Sequence, residues 1–187
     1  MTQQQYLLYV KGLCWAILFL SVLATAVEAK VFSSRQEAVK IAFPDADTMQ
    51  NRTITLTDDQ KQQIERLAAA PLDSKIVTFY TAYKGTDIIG YSFIETRIVR
   101  TLPGSFLVAL FPTGEVKTVM AVAFHEPEEY LPTERWLRQF EHQSLTPELQ
   151  VQKNIHGIAG ATLSSQAVTA VVRTALAFFQ VMVQEGK

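Results

Sequence analysis

Cysteine is almost absent from this sequence: Cys14 is the single cysteine among 187 residues. It lies within an apolar run, residues 13–26, so no thiol follows residue 29. The chain beyond that point therefore has no disulfide, no thiolate ligands for an iron–sulfur cluster and no c-type haem attachment. A redox function would need a cofactor of another kind.

Strong charge of either sign and several common catalytic motifs are missing as well. The 17 basic and 18 acidic residues give a net charge of −1, which does not indicate a nucleic-acid partner or a polybasic membrane patch. There is no dinucleotide-binding Gly-x-Gly-x-x-Gly, no Walker loop and no Gly-x-Ser-x-Gly elbow, and three histidines leave little material for a catalytic triad. The length suits one domain with a substantial core.

Residues 1–29 have the pattern of an export signal. Lys11 supplies a positive charge before the apolar run, which is shorter than the roughly 20 residues of a bilayer span. Small residues around Glu28 suit a signal peptidase and predict cleavage after Ala29. The alternative is an uncleaved N-terminal anchor. We expect a periplasmic or otherwise exported protein, attached to the inner membrane if the segment is retained.

Residues 30–74 are predicted to be a helical N-terminal segment. Ser33 or Ser34 can cap a helix that extends to Phe43. The sequence Thr57-Asp-Asp-Gln60 fits a capping box and starts a second, amphipathic helix. Both helices are polar enough to lie on the outside of the molecule.

From residue 75 the sequence changes to β-branched and aromatic runs separated by turn residues. The predicted strands are residues 76–83, 88–99, 106–111 and 116–124. Because the connections are short, we expect an antiparallel sheet with at least one covered face.

A loop, a short helix and one long helix should follow the strands. Residues 125–132 contain two prolines and are predicted to be a loop, after which Thr133 caps a short helix. Apolar periodicity from Leu163 to Val183 predicts the long helix. The fold class is therefore α+β, an antiparallel sheet of about four or more strands packed by helices, with residues 75–187 as the main domain.

The segment before the long helix, residues 157–162, is rich in glycine and alanine. Small residues let backbone N–H groups approach a ligand, and a helix N-terminus favours a phosphate through its free N–H groups and dipole. Ser164 and Ser165 add hydroxyl donors in the first turn. Alternatively, Thr162 or Ser164 is only an N-cap and the glycines only form a turn.

Gly160, Ala161 and Thr162, followed by Leu163 and the long helix, resemble the end of a family motif, Asp-x-x-Ser/Thr-Gly-Ala-Thr. The family is the FMN-binding domain found in sodium-translocating NADH:quinone reductase, in the Rnf complex and in small exported flavoproteins. The resemblance implies FMN as the cofactor. It also implies that a flavin transferase, using FAD, esterifies the FMN phosphate to Thr162.

The resemblance covers roughly residue 75 to the C-terminus, in the same order of strands, short aromatic helix and long helix. It departs from the motif at two positions, since His156 stands where the family has an acidic residue and Ala159 where it has Ser or Thr. These departures bear on recognition by the transferase, and hence on the covalent bond, more than on FMN binding.

Other residues are candidate neighbours of the flavin. His125 and Glu126 would border the isoalloxazine ring, or belong to a solvated loop. Tyr130 and Trp136 would stack on the ring, or pack in the core with Phe140. His156 would lie near the phosphate, or on the surface. No metal site is expected, because adjacent residues in a proline-containing loop rarely converge on one ion.

Three functions fit these features. The leading hypothesis is an exported electron carrier that bears FMN and exchanges electrons with a redox partner protein, a membrane reductase or a cytochrome. Such a carrier needs no substrate pocket, so it need not be an enzyme. The second is a flavin-dependent reductase of a small acceptor. The third is a non-redox assembly or sensory module with a degenerate flavin motif.

Overall fold

The computed structural model describes residues 30–184. Its strands are β1 (Lys30–Val31), β2 (Thr48–Thr55), β3 (Ile76–Lys84), β4 (Asp87–Ile98), β5 (Pro103–Leu110) and β6 (Val116–Phe124). Its α-helices are α1 (Arg35–Ala42), α2 (Asp58–Ala68), α3 (Glu134–Leu137) and α4 (Thr162–Phe179). Short 3-10 helices span Glu128–Tyr130 and Arg138–Phe140, and α4 continues as a π-helical turn over Gln180–Gln184. The predicted export segment, residues 1–29, lies outside the described residues.

The six strands form one antiparallel sheet in the order β1-β6-β5-β4-β3-β2. The four strands predicted from the sequence are confirmed, and each pairs with the next along the chain. With helices packed on the sheet and a long helix at the C-terminal end, the predicted α+β class is confirmed.

The N-terminal segment, residues 30–74, is not purely helical as expected, because it contributes β1 and β2. β2 pairs with β3 along its whole length, from Thr48 opposite Tyr83 to Thr55 opposite Ile76. Its sequence lacks an apolar alternation because it is an edge strand with mostly exposed side chains. The apolar alternation that predicts a strand is weakest where a strand buries neither face.

The two N-terminal helices begin where the sequence predicts. Ser34 Oγ accepts the N–H of Glu37 at 3.2 Å, and Thr57 and Gln60 form the reciprocal capping box that starts α2. Each helix nevertheless buries one face, α1 against β5 and β6 of the sheet and α2 against α4, so the expected position outside the core holds only for their polar faces. The buried residues are Ala38, Val39, Ala42, Ile64 and Ala68.

The larger core lies between the sheet and α4. The ring of Phe178 packs against Phe79 and Phe93, with ring centroids 5.6 and 4.9 Å apart, and Phe179 packs against Tyr91 at 5.4 Å. Each fully buried aromatic ring of this kind stabilises the fold by about 1.5–3 kcal/mol. Thr162–Gln184 is long and apolar enough to cross a membrane, but 72% of its most apolar window is buried inside the protein, as expected of a core helix.

The opposite face of the sheet is covered by α1. Val39 and Phe43 belong to a second apolar cluster with Leu107 and Ala109 of β5. Helices on both faces explain why residues 106–110 of β5 are all buried.

Arg173 joins α4 to two distant segments of the chain from a buried position, with 7% of its surface exposed. Its guanidinium donates to the carbonyl oxygens of Leu67 and Ala68 at the end of α2, at 2.8 and 2.7 Å. It also donates to the carbonyl oxygens of Thr146 and Leu149, at 2.8 and 3.1 Å. The buried cation therefore satisfies carbonyl groups at a helix C-terminus, where positive charge is favoured.

The sheet splits where β3 and β4 diverge. Their pairing ends at Phe79 opposite Phe93, and beyond it lies a crevice of about 260 Å³ lined in part by Glu95. Arg97 Nε donates to Glu95 Oε1 at 2.6 Å. Burial raises the pKa of Glu95 to about 7, although Arg97 acts in the opposite direction.

This pKa predicts a pH dependence of stability that Glu95→Gln should remove. Between about pH 4.5 and pH 7 the folded protein retains a proton that the unfolded chain releases. The free energy of unfolding should therefore fall as the pH rises through this range, by up to about 3 kcal/mol. Urea unfolding at pH 5 and pH 8 should show this loss in the wild type and in an exposed control, Glu129→Gln. A Glu95→Gln profile parallel to that of the wild type would contradict it.

Candidate functional site

The packing of α4 on β4 determines where this helix begins. Phe179 contacts Tyr91, and Arg97 Nη2 donates to Thr174 Oγ1 at 3.2 Å, so α4 runs antiparallel to β4. Its N-terminus therefore points to the end of the sheet where β4 ends, β5 begins and β6 ends. We call this end, marked by Ile98, Pro103 and Phe124, the site end. The loop before α4 contacts Trp136 and Gln139, which come later in the chain than the residues that follow β6.

The N-terminus of α4 is not capped by a side chain. Gly160 has φ +78°, a conformation that favours glycine, and Ala161 is the N-cap residue with no side-chain hydrogen bond. The first turn of N–H groups, from Thr162 to Ser164, has no acceptor within the helix. Thr162 and Ser164 are therefore not N-caps, so that part of the alternative interpretation is wrong, whereas Ala159 and Gly160 do form a turn.

The two serines of the first turn have different environments. Ser165 Oγ accepts the N–H of Ile158 at 2.9 Å and donates to the carbonyl oxygen of Ala161 at 3.2 Å, which ties the glycine loop to the helix. Ser164 Oγ is buried without a hydrogen-bond partner. Thr162 and Leu163 are exposed. The loop thus leaves an exposed hydroxyl, an unsatisfied buried hydroxyl and free backbone N–H groups close together in sequence.

Trp136 fixes the loop from the core side. It is 9% exposed, packs edge-on against Phe140 and donates from Nε1 to the carbonyl oxygen of His156 at 2.6 Å. Gln139 Oε1 accepts the N–H of His156 at 2.9 Å, an interaction that the sequence does not predict. The His156 side chain itself is exposed. Trp136 is therefore placed as a core residue that positions the loop.

Glu126 organises the turn between β4 and β5. Its Oε1 accepts the N–H groups of Arg100, Thr101 and Leu102, at 3.0, 2.6 and 2.7 Å. Burial opposes ionisation, but these three donors outweigh it and hold the pKa of Glu126 below its usual range. Glu126 is 6% exposed, so it is a buried carboxylate neutralised by backbone dipoles rather than part of a solvated loop.

His125 and Tyr130 complete this side of the site end. His125 Nδ1 lies 3.0 Å from the carbonyl oxygen of Pro103, and the guanidinium of Arg100 lies 4.0 Å from the centre of the Tyr130 ring. Tyr130 is half-buried within a 3-10 helix, Glu128–Tyr130, where the sequence predicts an irregular loop. The sequence does not predict a role for Arg100, because only the fold brings it to Tyr130.

No group of three histidine, cysteine or carboxylate side chains lies close enough to hold a metal ion within residues 30–184.

Comparison with known proteins bears directly on this loop and helix. The family model of the FMN-binding domain matches residues 73–177, more than half of the chain. The chain belongs to the FMN-binding domain family. Its cofactor is accordingly FMN, and the protein is a flavin-binding protein. A search of the curated proteins finds no match.

The residues present at the start of α4 fit the phosphate of FMN. An anion would satisfy the free N–H groups of the first turn and interact favourably with the helix dipole. A Cβ at Gly160 would meet no atom within 4 Å, so the approach to this turn is open. The phosphate would accept hydrogen bonds from N–H groups for which no described side chain provides a cap.

We expect Glu126→Gln to destabilise the fold by about 1–3 kcal/mol at pH 7, because three backbone N–H groups lose a charged acceptor. Since the pKa of Glu126 is lowered in the folded state, its contribution is present above the pKa of the unfolded chain. It is lost as the pH falls through the folded pKa. The difference between wild type and Glu126→Gln, measured by urea unfolding, should therefore shrink at pH 3.

The exposed neighbour Glu129 provides the control, since Glu129→Gln should leave stability within about 0.5 kcal/mol of the wild type. Equal effects of the two substitutions at pH 7 would show that the contacts of Glu126 do not stabilise the turn.

Proposed function

We propose that this protein is an exported electron carrier whose FMN is esterified through its phosphate to Thr162. The observation that carries the proposal is the uncapped start of α4, where an exposed threonine hydroxyl adjoins free backbone N–H groups and an open glycine turn. A phosphodiester formed at Thr162 keeps one negative charge, which suits this helix terminus. When bound, FMN supplies the redox chemistry, and the protein supplies its binding and electrostatics.

The departures from the family motif lie on side chains that the loop does not use. His156 is held through its backbone, by Trp136 at its carbonyl oxygen and by Gln139 at its N–H. Ala159 is exposed. Because the loop geometry depends on backbone contacts, a histidine and an alanine at these positions are compatible with the same anion site. What the departures change is the surface that a flavin transferase would contact.

The polar groups at the site end favour a carrier over a reductase. A reductase of a small acceptor needs a proton donor near the flavin. Glu126 has a lowered pKa and is ionised at neutral pH, with one carboxylate oxygen engaged by three backbone N–H groups. His125 is in contact with the carbonyl oxygen of Pro103. Glu126 is thus engaged in holding the β4–β5 turn, and His125 contacts the first residue of β5 through one of its two ring nitrogens.

A covalent bond to FMN would be an advantage for an exported protein. Outside the cytoplasm a dissociated flavin would not be replaced, so an ester bond would prevent its loss. Residues 1–29 would direct the chain across the inner membrane, and a flavin transferase would then attach FMN. The partners we propose are this transferase and a redox protein, a membrane reductase or a cytochrome, that exchanges electrons with the flavin.

The attachment site can be tested by exporting the protein from a host that contains a flavin transferase. Intact-mass spectrometry should show an added mass of FMN less one water, and the purified protein should show flavin absorption. Thr162→Ala should lose the added mass completely. Ser164→Ala, in the same turn but buried, should retain it.

An added mass retained by Thr162→Ala would reject Thr162 as the attachment residue. A colourless wild-type protein that takes up no added FMN would reject the proposed function as a whole. Mixing the reduced protein with candidate cytochromes and with small acceptors should show electron transfer to the former.

A further inference from the structure

The outer edge of β6 is paired at both of its ends. Beside the short strand β1, the N–H of Phe32 donates to the carbonyl oxygen of Val122 at 2.9 Å. At the start of β6, the carbonyl oxygen of Val116 accepts the N–H of His142 at 2.8 Å. The N–H of Val116 donates to the carbonyl oxygen of Gln143 at 2.9 Å. The chain itself therefore covers this edge of the sheet at two separate points.

The middle of β6, Thr118 to Ala121, is paired on one side only. It pairs with Phe106 to Ala109 of β5, and the two register shifts between β5 and β6 lie outside this stretch. Alternate residues of a strand direct N–H and C=O groups to its outer edge, and no group within residues 30–184 bonds them here. From Thr118 to Phe124 the strand has neither a charge nor a proline, which commonly protect an exposed edge. This stretch is therefore open to a further strand.

The open stretch of β6 is the floor of a trough of about 540 Å³. One wall includes Ile41 of α1, which is 58% exposed. The other wall is formed by α3 and the 3-10 helix after it, through Glu134, Leu137, Arg138 and Glu141. Because α1 and α3 belong to the apolar clusters on opposite faces of the sheet, the walls flank the strand edge on both sides. This shape suits one extended segment, whereas the β6 edge of a second copy would bring its own walls against these.

The charges of the trough indicate which kind of segment it suits. Glu134, Arg138 and Glu141 supply two carboxylates and one guanidinium, and none of them forms an ion pair within residues 30–184. A basic side chain of the segment would meet two unpaired carboxylates, whereas an acidic one would meet a net negative charge. Apolar side chains of the segment would contact Ile41 and Leu131.

We propose that the outer edge of β6 binds an extended segment of a partner protein as an additional strand. The segment would place apolar side chains in the trough and a basic side chain beside Glu134 and Glu141. Main-chain hydrogen bonds would provide affinity, and the side chains would provide specificity. The stretch from Thr118 to Ala121 is about 13 Å long at about 3.4 Å per residue, so about four residues of the partner would pair with it.

The helical segment that forms one wall of the trough also holds the loop before α4. Leu137 and Arg138 line the trough, whereas Trp136 and Gln139 bond the backbone of His156. A helix with its side chains is about 10–12 Å across, so the docked segment would lie about one helix diameter from this loop. The partner would then be held beside the flavin. Only this last step rests on the proposed function, because binding of the segment needs no flavin.

A phage library of random octapeptides, selected on the purified full chain, tests the docking site. We expect the enriched peptides to alternate apolar residues and to carry Lys or Arg. Glu134→Gln combined with Glu141→Gln should weaken binding of the selected peptide several-fold, because the two carboxylates are lost. The control Glu129→Gln, outside the trough, should leave binding unchanged. Enrichment of acidic peptides, or no enrichment, would overturn the proposal.

N-methylated forms of the selected peptide distinguish strand addition from purely apolar docking. Methyl groups on alternate backbone nitrogens block one edge of the peptide, so two such peptides block opposite edges. One of them should bind about tenfold or more weakly, because its N–H groups no longer donate to β6, and the other should bind like the unmodified peptide. Equal binding of the two would overturn the proposal.

Hydrogen exchange locates the bound peptide and separates this proposal from the flavin assignment. Saturation with the unmodified peptide should slow exchange of amides between Thr118 and Ala121, and unchanged exchange there would contradict the proposed edge. Thr162→Ala should bind the peptide as tightly as the wild type. Loss of FMN attachment without loss of peptide binding would therefore concern the flavin alone.

Discussion

The contact of Phe178 and Phe179 with the aromatic residues of β3 and β4 is the constraint on which the rest of the structure depends. It fixes the direction of α4, which runs antiparallel to β4. Gly114, in the turn before β6, contributes to this fit, since a Cβ there would collide with the Phe179 ring. A shift of the helix along the sheet would break these ring contacts and the hydrogen bonds of Arg173 to the end of α2.

The turn between β4 and β5 and the first turn of α4 are both built on backbone N–H groups, and they differ in what satisfies these groups. The β4–β5 turn receives its acceptor from within the chain, the carboxylate of Glu126. The first turn of α4 receives none from the described side chains and keeps one buried hydroxyl, that of Ser164, without a partner. The first arrangement is complete by itself, whereas the second has the donors of an anion site.

Most strands and helices could be predicted from the sequence, and the predictions that were missed have physical causes. Strands with a buried face and helices with a side-chain cap were predictable, because both leave periodic or positional signals. β2 was not predicted, since an exposed edge strand needs no apolar face. The roles of Trp136 and Glu126 depend on partners far away in the sequence, His156 and the Arg100–Leu102 turn. Periodicity carries no information on such pairs.

Arg173 sets a lower limit on the length of chain that can fold by itself. Two of the four carbonyl groups that accept its hydrogen bonds, those of Leu67 and Ala68, precede the region matched by the family, residues 73–177. A fragment confined to that region would lose two of the four acceptors of the Arg173 guanidinium and would expose the apolar surface of α4 on which α2 packs. The region matched by the family model is therefore shorter than the region that folds together. The N-terminal helices belong to the folded region but not to the matched one.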